Sequence, residues 1–225
     1  MEDLALRGVI TIDGPGGAGK STVARELAKR LGVDYLDTGA LYRATALWLK
    51  GQGISPQEDS SLAQKLETLP LYLRQGRVWL GEEDVTEAVR SAEAGMLASQ
   101  YSALPSVREA LLDVQRNQAL RGPLVADGRD MGTVVFPLAP LKIFLTADSR
   151  VRALRRAGEL EALGQRVDLS EIERQIKERD EADSSRALAP LRPAEDAVFV
   201  DSSQKTVDEV VGDILQALKE TTHGA

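Results

Sequence analysis

Gly14-Pro15-Gly16-Gly17-Ala18-Gly19-Lys20-Ser21 decides the fold, because it fits the pattern Gly, any four residues, Gly, Lys, Ser/Thr that wraps a backbone around a phosphate. Its context fits as well. Upstream, Gly8-Val9-Ile10-Thr11-Ile12 is an apolar run of strand length; downstream, Val23, Leu27 and Leu31 recur at helical spacing until Gly32 stops the pattern. Glycines let the backbone turn back so that successive N–H groups face one anion, and the following helix adds free N–H groups and its positive dipole end. Gly14, Pro15, Gly16, Gly17, Ala18, Gly19, Lys20, Ser21 and Thr22 are therefore the candidate ATP site, with Lys20 reaching the β and γ phosphates and the Ser21 hydroxyl on Mg2+. At average residue usage the pattern arises by accident in about one chain in a hundred of this length, so a chance glycine-rich turn is the weaker reading.

Outward from the loop, Val33 to Leu36 forms a second short strand that runs into Asp37-Thr38-Gly39, and a helix follows from about Ala40 to Lys50. Leu124 to Ala126, Leu141 to Leu145 and Ala197 to Val200 are further short apolar runs, as buried parallel strands are. Helical patterns lie over 106–120, 148–163, 170–186 and 206–219, with capping boxes Ser170/Glu173 and Thr206/Glu209. The alternation predicts an α/β fold with a five-stranded parallel sheet flanked by helices. Two stretches interrupt it. Leu71 to Arg74 and Arg77 to Leu80 flank Gln75-Gly76 as an antiparallel hairpin, inside an inserted subdomain over 57–104. Residues 149–189 are dense in arginine, and the core is left with 1–56, 105–148 and 190–225.

Composition narrows the chemistry. The chain has 225 residues, 43% hydrophobic and 28% charged, enough to bury a core and far from a disordered composition. It has no cysteine and one histidine, His223, so disulfides, thiolate metal sites and a histidine-centred mechanism are excluded. A net charge of -7 gives no general basic field, so stable nucleic-acid binding is not expected. No apolar run reaches the roughly 18 residues that span a bilayer, and Met1-Glu2-Asp3 is acidic where a secretion signal is basic. A cytoplasmic protein without membrane contact is the expectation, and a monomer, since no spare apolar helix face is visible.

Four further segments carry a resemblance: Asp37-Thr38-Gly39-Ala40-Leu41-Tyr42-Arg43, Asp127-Gly128-Arg129-Asp130-Met131-Gly132-Thr133, Lys142-Ile143-Phe144-Leu145, and Lys177 to Asp180 continuing through Arg186-Ala187-Leu188-Ala189-Pro190-Leu191. With the glycine loop they resemble the bacterial cytidylate kinases, in the same order and over nearly the whole chain. The resemblance implies a P-loop nucleotide kinase core, a monophosphate-binding insert and a helical lid, which correspond to the two interruptions. It implies transfer of the γ-phosphoryl group of ATP to CMP or dCMP with Mg2+ as cofactor. Matched by position, Arg43 and Arg129 look like the pair that grips the acceptor phosphate. Ser99, Arg108 and Asp130 look like the cytosine contacts with Arg186 nearby, and Arg179 and Asp183 like the sugar contacts. Thr38 stands where the family often has serine. Lys20, Arg129, Arg155 and Arg186 are the candidate catalytic residues, Arg155 being the choice for a lid arginine on the transferring group.

The residue types suit that reaction on their own terms. Arginine offers a planar fork for phosphate oxygens, and an acceptor phosphate whose second pKa is about 6 is already ionised at pH 7, so no general base is required. Asp13, Asp37 and Asp127 nonetheless fall at strand ends where a base for a hydroxyl acceptor would sit. By residue type alone, another acceptor on the same core, such as UMP, AMP or a shikimate-like alcohol, therefore stays open, as does a nucleotide-switch ATPase.

Overall fold

The computed structural model describes residues 8–162 and 164–223. In chain order the elements are β1 (Val9–Asp13), α1 (Lys20–Leu31), β2 (Asp34–Asp37), α2 (Thr38–Gly51), α3 (Ser60–Leu66), β3 (Leu71–Arg74), β4 (Arg77–Leu80), β5 (Glu83–Asp84), α4 (Ala92–Tyr101), α5 (Pro105–Ala119), β6 (Leu124–Gly128), β7 (Leu141–Thr146), α6 (Ser149–Ala162), α7 (Leu169–Ser184), β8 (Val198–Asp201) and α8 (Val207–His223). The larger sheet has the five strands that the alternation predicts, in the order β2-β6-β1-β7-β8, and β3-β4-β5 form a separate small sheet.

Every residue of β1 and β6 is buried, which is why both read as unbroken apolar runs rather than alternating ones. They pair in parallel, Val9 with Leu124 through Asp13 with Gly128; β7 pairs on the other side of β1, Thr11 with Lys142, and β8 follows β7 in parallel. This register brings Asp13 and Gly128 to one level at the end of the sheet. α1 packs on β6 and against α8, while α8 also covers β7 and β8.

The chain divides into two compact units, one comprising residues up to 33 with 123 onward, the other residues 34–122. The second unit is wider than the 57–104 insertion read from the sequence. Within it α2 packs against α4 and β4, and α3 against α5. The hairpin turn lies at Gln75-Gly76 as expected, with φ of 52° and 71°, the left-handed pair that a two-residue turn needs. Tyr72 and Trp79, opposite each other across this hairpin, stack at 6.2 Å, so both rings serve packing.

The two capping boxes fare differently. Thr206 and Glu209 do exchange bonds at the head of α8: Glu209 Oε2 accepts from the Thr206 amide at 2.7 Å, and Thr206 Oγ1 accepts from the Glu209 amide at 3.3 Å. At α7, Ser170 is not the cap. The Asp168 carboxylate accepts from the amides of both Ser170 and Glu171 and starts the helix earlier than the sequence box indicates. α7 also ends at Ser184, two residues short of Arg186, and α8 continues to His223 rather than stopping at Lys219.

Candidate active site

The glycine loop leaves the buried end of β1 and enters α1 at Lys20. Gly14 cannot be replaced by a larger residue: its φ is 150°, and a Cβ there would stand 2.0 Å from the Leu145 carbonyl oxygen. The loop is ringed by arginines. Arg129 Nη2 lies 3.5 Å from the position of a Gly16 Cβ with Arg179 Cδ at 4.0 Å, Arg152 Cβ lies 3.2 Å from that of Gly17, and Arg155 Nη1 lies 3.9 Å from that of Gly19. Four guanidiniums gathered round a loop whose backbone can present N–H groups make a strongly electropositive cradle, the field that a polyphosphate needs.

Lys20 is 6% exposed and its Nζ donates to the Pro15 carbonyl at 2.7 Å. Burial, and after it the neighbouring Arg129 charge, lowers its pKa below the ordinary lysine value. An ammonium held among cations in this way gains strongly from an anionic partner. Ser21 Oγ donates to Asp127 Oδ2 at 2.9 Å across 106 positions of chain. That pair, one hydroxyl and one carboxylate beside the phosphate loop, has the donor set by which Mg2+ is held together with nucleotide phosphates and water. Among the described residues there is no cluster of three or more acidic or histidine side chains that would hold a metal by protein ligands alone. Of the strand-end carboxylates, Asp127 is the one bonded to Ser21.

Arg129 follows β6. Its Nε donates to Asp183 Oδ2 at 2.8 Å and its Nη1 to the Gly128 carbonyl at 3.3 Å. Arg186 Nη2 pairs with the second oxygen of Asp183 at 2.5 Å. Arg129, Asp183 and Arg186 therefore form one connected group, with Arg179 adding its charge to it. Asp130 is 2% exposed. After it the backbone enters a π-helical turn, Met131–Val135, closed by the Val135 amide on the Asp130 carbonyl at 3.2 Å and the Phe136 amide on that of Met131 at 2.7 Å. Helical turns of this wider kind recur at functional sites, and no periodicity in the sequence marks this one.

Arg155, the arginine chosen for the transferring group, is bonded to Ser202: Nη2 donates to the Ser202 carbonyl at 2.6 Å and Nη1 to Ser202 Oγ at 3.1 Å. Ser202 Oγ in turn donates to the Ala18 carbonyl at 3.0 Å. The arginine bonded to the front of the loop is Arg152, which donates to the Gly16 carbonyl at 3.0 Å and the Ala147 carbonyl at 2.9 Å, and pairs with Asp180 at 2.7 Å. Residue type alone does not single out Arg152 among its neighbours; its place three residues before Arg155, on the same helical face, is the one signal the sequence offers.

In the unit of residues 34–122, Asp37 caps α2 by accepting from the Ala40 amide at 2.8 Å and holds Arg43 at 3.3 Å. Thr38 opens that helix and is buried. Arg108 lies over the Tyr42 ring at 5.5 Å and donates to the Ser102 carbonyl at 3.1 Å, and Ser102 Oγ donates to the Ser99 carbonyl at 3.3 Å. Ser99 and Arg108 are thus linked through Ser102, and Arg108 packs on Tyr42, the residue before Arg43. The Arg43 Nε is buried with no hydrogen-bond partner, a donor in need of an acceptor.

Parallel sheet, glycine loop, lysine and the Ser21–Asp127 pair define a nucleotide-binding protein of the P-loop kinase class. Solved structures agree on the fold: a shikimate kinase from Acinetobacter baumannii superposes with a TM-score of 0.51 at 16% identity over 96% of each chain, and a gluconokinase from Sinorhizobium meliloti with 0.51 at 17% over 97% of each. The sequence pattern of the cytidylate kinase family matches residues 10–220. Cytidylate kinases of Methylococcus capsulatus and Pseudothermotoga lettingae are 49% identical over 206 residues and 45% over 210, covering 90% and 93% of this chain and 93% of each relative. The chain belongs to the cytidylate kinase family.

Proposed function

We propose that the chain transfers the γ-phosphoryl group of ATP to CMP or dCMP, giving the diphosphate and ADP. The observation that carries this reading is the place of Arg129. The guanidinium matched to the acceptor phosphate lies against Gly16 of the donor loop, so one residue reaches toward both phosphates. Phosphoryl transfer asks for alignment and charge stabilisation, which this cradle supplies. Mg2+, held through Ser21 and Asp127, would neutralise charge on the donor phosphates.

The strand-end carboxylates favour a phosphate acceptor over an alcohol. Both oxygens of Asp13 accept backbone amides, Asp127 accepts from Ser21, and Asp37 caps α2. Each has a task other than taking a proton from a hydroxyl, and an ionised phosphate asks for none. Arg43, Thr38, Ser99, Arg108 and Asp130 with Arg179, Asp183 and Arg186 are assigned to the nucleoside monophosphate. A buried carboxylate at Asp130 accepts from the amino group of cytosine; uracil offers an acceptor at that point, which costs about 1 to 3 kcal/mol. The chain would then act in pyrimidine nucleotide metabolism as a cytoplasmic monomer, where ATP and CMP are found, without nucleic-acid or membrane partners. No helix among the described residues is long and apolar enough to cross a membrane.

ADP release with ATP and Mg2+ across CMP, dCMP, UMP, AMP, GMP, shikimate and no acceptor tests the reading. Turnover with CMP and dCMP well above the others is the expected result. Turnover confined to another acceptor, or hydrolysis with none, would overturn the substrate while leaving the P-loop in place.

A further inference from the structure

Asp13 is the last residue of β1, directly before the glycine loop, and it is 4% exposed. It has no part in holding either nucleotide in the proposed reaction. Its Oδ1 accepts from the Met131 amide at 2.8 Å and its Oδ2 from the Gly132 amide at 2.8 Å. These two amides come immediately after Arg129-Asp130 and open the π-helical turn. The turn also lies close on the sheet: Thr11 and Lys142, on the same face as Asp13, would stand 3.0 Å (Oγ1) and 3.1 Å (Cδ) from a Cβ at Gly132. Lys142 is itself fixed, its Nζ donating to both oxygens of Asp196 at 2.9 Å. The short segment with the acceptor guanidinium and the base-reading carboxylate is therefore tied down by the Asp13 carboxylate and seated closely on the side chains of Thr11 and Lys142.

Burying a carboxylate at a strand end is unfavourable, and an apolar residue would close the strand at less cost. Two backbone amides on two oxygens, by contrast, fix both the distance and the orientation of the segment that carries them, as a single bond does not. We propose that Asp13 is a positioning residue for phosphoryl transfer: its carboxylate ties the entry of the donor loop to the Met131-Gly132 backbone and so sets where Arg129 and Asp130 stand relative to Gly14 through Lys20. This inference rests on the CMP kinase reading. Asp13 supplies no proton and touches no reacting atom; it acts through the two amides.

The test compares the full-length wild type with Asp13→Asn and Gly132→Ala. Asparagine keeps the shape but presents an N–H donor to one of the two amides, and the Gly132→Ala methyl, meeting Thr11 and Lys142, lifts the same turn off the sheet. Steady-state turnover with CMP and calorimetric binding of ATP are measured for each. The expected result is at least a tenfold loss of kcat/KM for CMP, with the Kd for ATP changed by less than threefold. A kcat/KM for CMP within threefold of wild type would overturn the inference, and so would parallel losses for CMP and ATP, which mean general damage to the loop.

The wild type alone provides a second reading that survives if either variant fails to fold. Its Met131 and Gly132 amide resonances should lie downfield and titrate together with a midpoint near 6, above the usual carboxylate range, where burial leads the shift and the facing groups are Asp130 and Lys20. Amides that do not titrate together would also overturn the clamp. Wild-type acceptor use is read first. If another monophosphate is preferred, the substrate reading fails, and the Asp13 comparison is made on that acceptor with the same two outcomes.

Discussion

Arg129 Nε donates to Asp183 Oδ2 at 2.8 Å, and the other oxygen of that carboxylate is held by Arg186 at 2.5 Å. One buried acid thus sets the direction of two of the four candidate catalytic residues. With Asp183 changed to Asn, one of the two guanidiniums faces an amide N–H instead of an acceptor. A hydrogen bond to a charged group contributes about 1.5 to 3 kcal/mol, so kcat/KM for CMP should fall about tenfold or more in Asp183→Asn. Steady-state kinetics against CMP checks this. Unchanged kcat/KM would mean that Arg129 is oriented by its contact with the Gly128 carbonyl alone.

The parts of this arrangement that are legible in the sequence are those encoded locally. A glycine loop between an apolar run and an amphipathic helix, a Gln-Gly turn and a Thr-x-x-Glu box each specify their own geometry within a few residues. The rest is long-range. Asp127 meets Ser21 across 106 positions and Arg152 meets Gly16 across 136, pairings that only the parallel register of β1, β6 and β7 creates. The π-helical turn after Asp130 is likewise set by tertiary bonds, from Asp13, rather than by its own apolar spacing. Arg155 shows the limit of residue type: its chemistry suits a transferring phosphate, yet Ser202 and Ala18 offer it carbonyl partners that no sequence spacing reveals.

Asp127 should govern the metal. With Asp127→Asn, the Ser21 hydroxyl loses its carboxylate acceptor, and a cation held there would lose a negative partner. The Mg2+ concentration for half-maximal activity should rise at least about tenfold, the range seen when a residue supporting a metal ligand is changed, while KM for CMP at saturating Mg2+ moves little. A titration of rate against free Mg2+ separates the two. A shift in KM for CMP without one in Mg2+ would place Asp127 on the acceptor instead.

Arg152 should act on the donor. It bonds the Gly16 and Ala147 carbonyls and pairs with Asp180, joining the glycine loop to α6 and α7. Arg152→Ala removes those contacts together and leaves the Asp180 carboxylate partly buried without its counter-charge. ATP affinity should fall about tenfold or more, with every acceptor affected alike, since the loop serves them all. Binding of ATP in the absence of acceptor is the measurement. A loss seen only with CMP would contradict a donor-side role.

Asp13 and Asp183 should give stability opposite slopes in pH. Burial, helped by the Asp130 charge and opposed by the Gly132 and Met131 amides and Lys20, raises the Asp13 pKa from 3.8 to about 6. Between those values the folded protein keeps a proton that the unfolded chain has released, so stability falls as pH rises through this window. The full change is about 3 kcal/mol, from roughly two pK units at 1.36 kcal/mol each. For Asp183, burial pushes the pKa up but Arg129 and Arg186 outweigh it and leave the carboxyl below its ordinary value. Its contribution is present above the unfolded carboxylate pKa and is lost as pH falls through the depressed one. Urea unfolding at steps from pH 3 to 8 resolves both. The stability of wild type relative to Asp13→Asn should decline between about pH 4 and 6.5 and then level, whereas relative to Asp183→Asn it should climb out of the acid range and be flat by about pH 5. A difference that stays level across about pH 4 to 6.5 for Asp13→Asn would show that the carboxylate is ionised in the fold at little cost, its two amides compensating its burial in full.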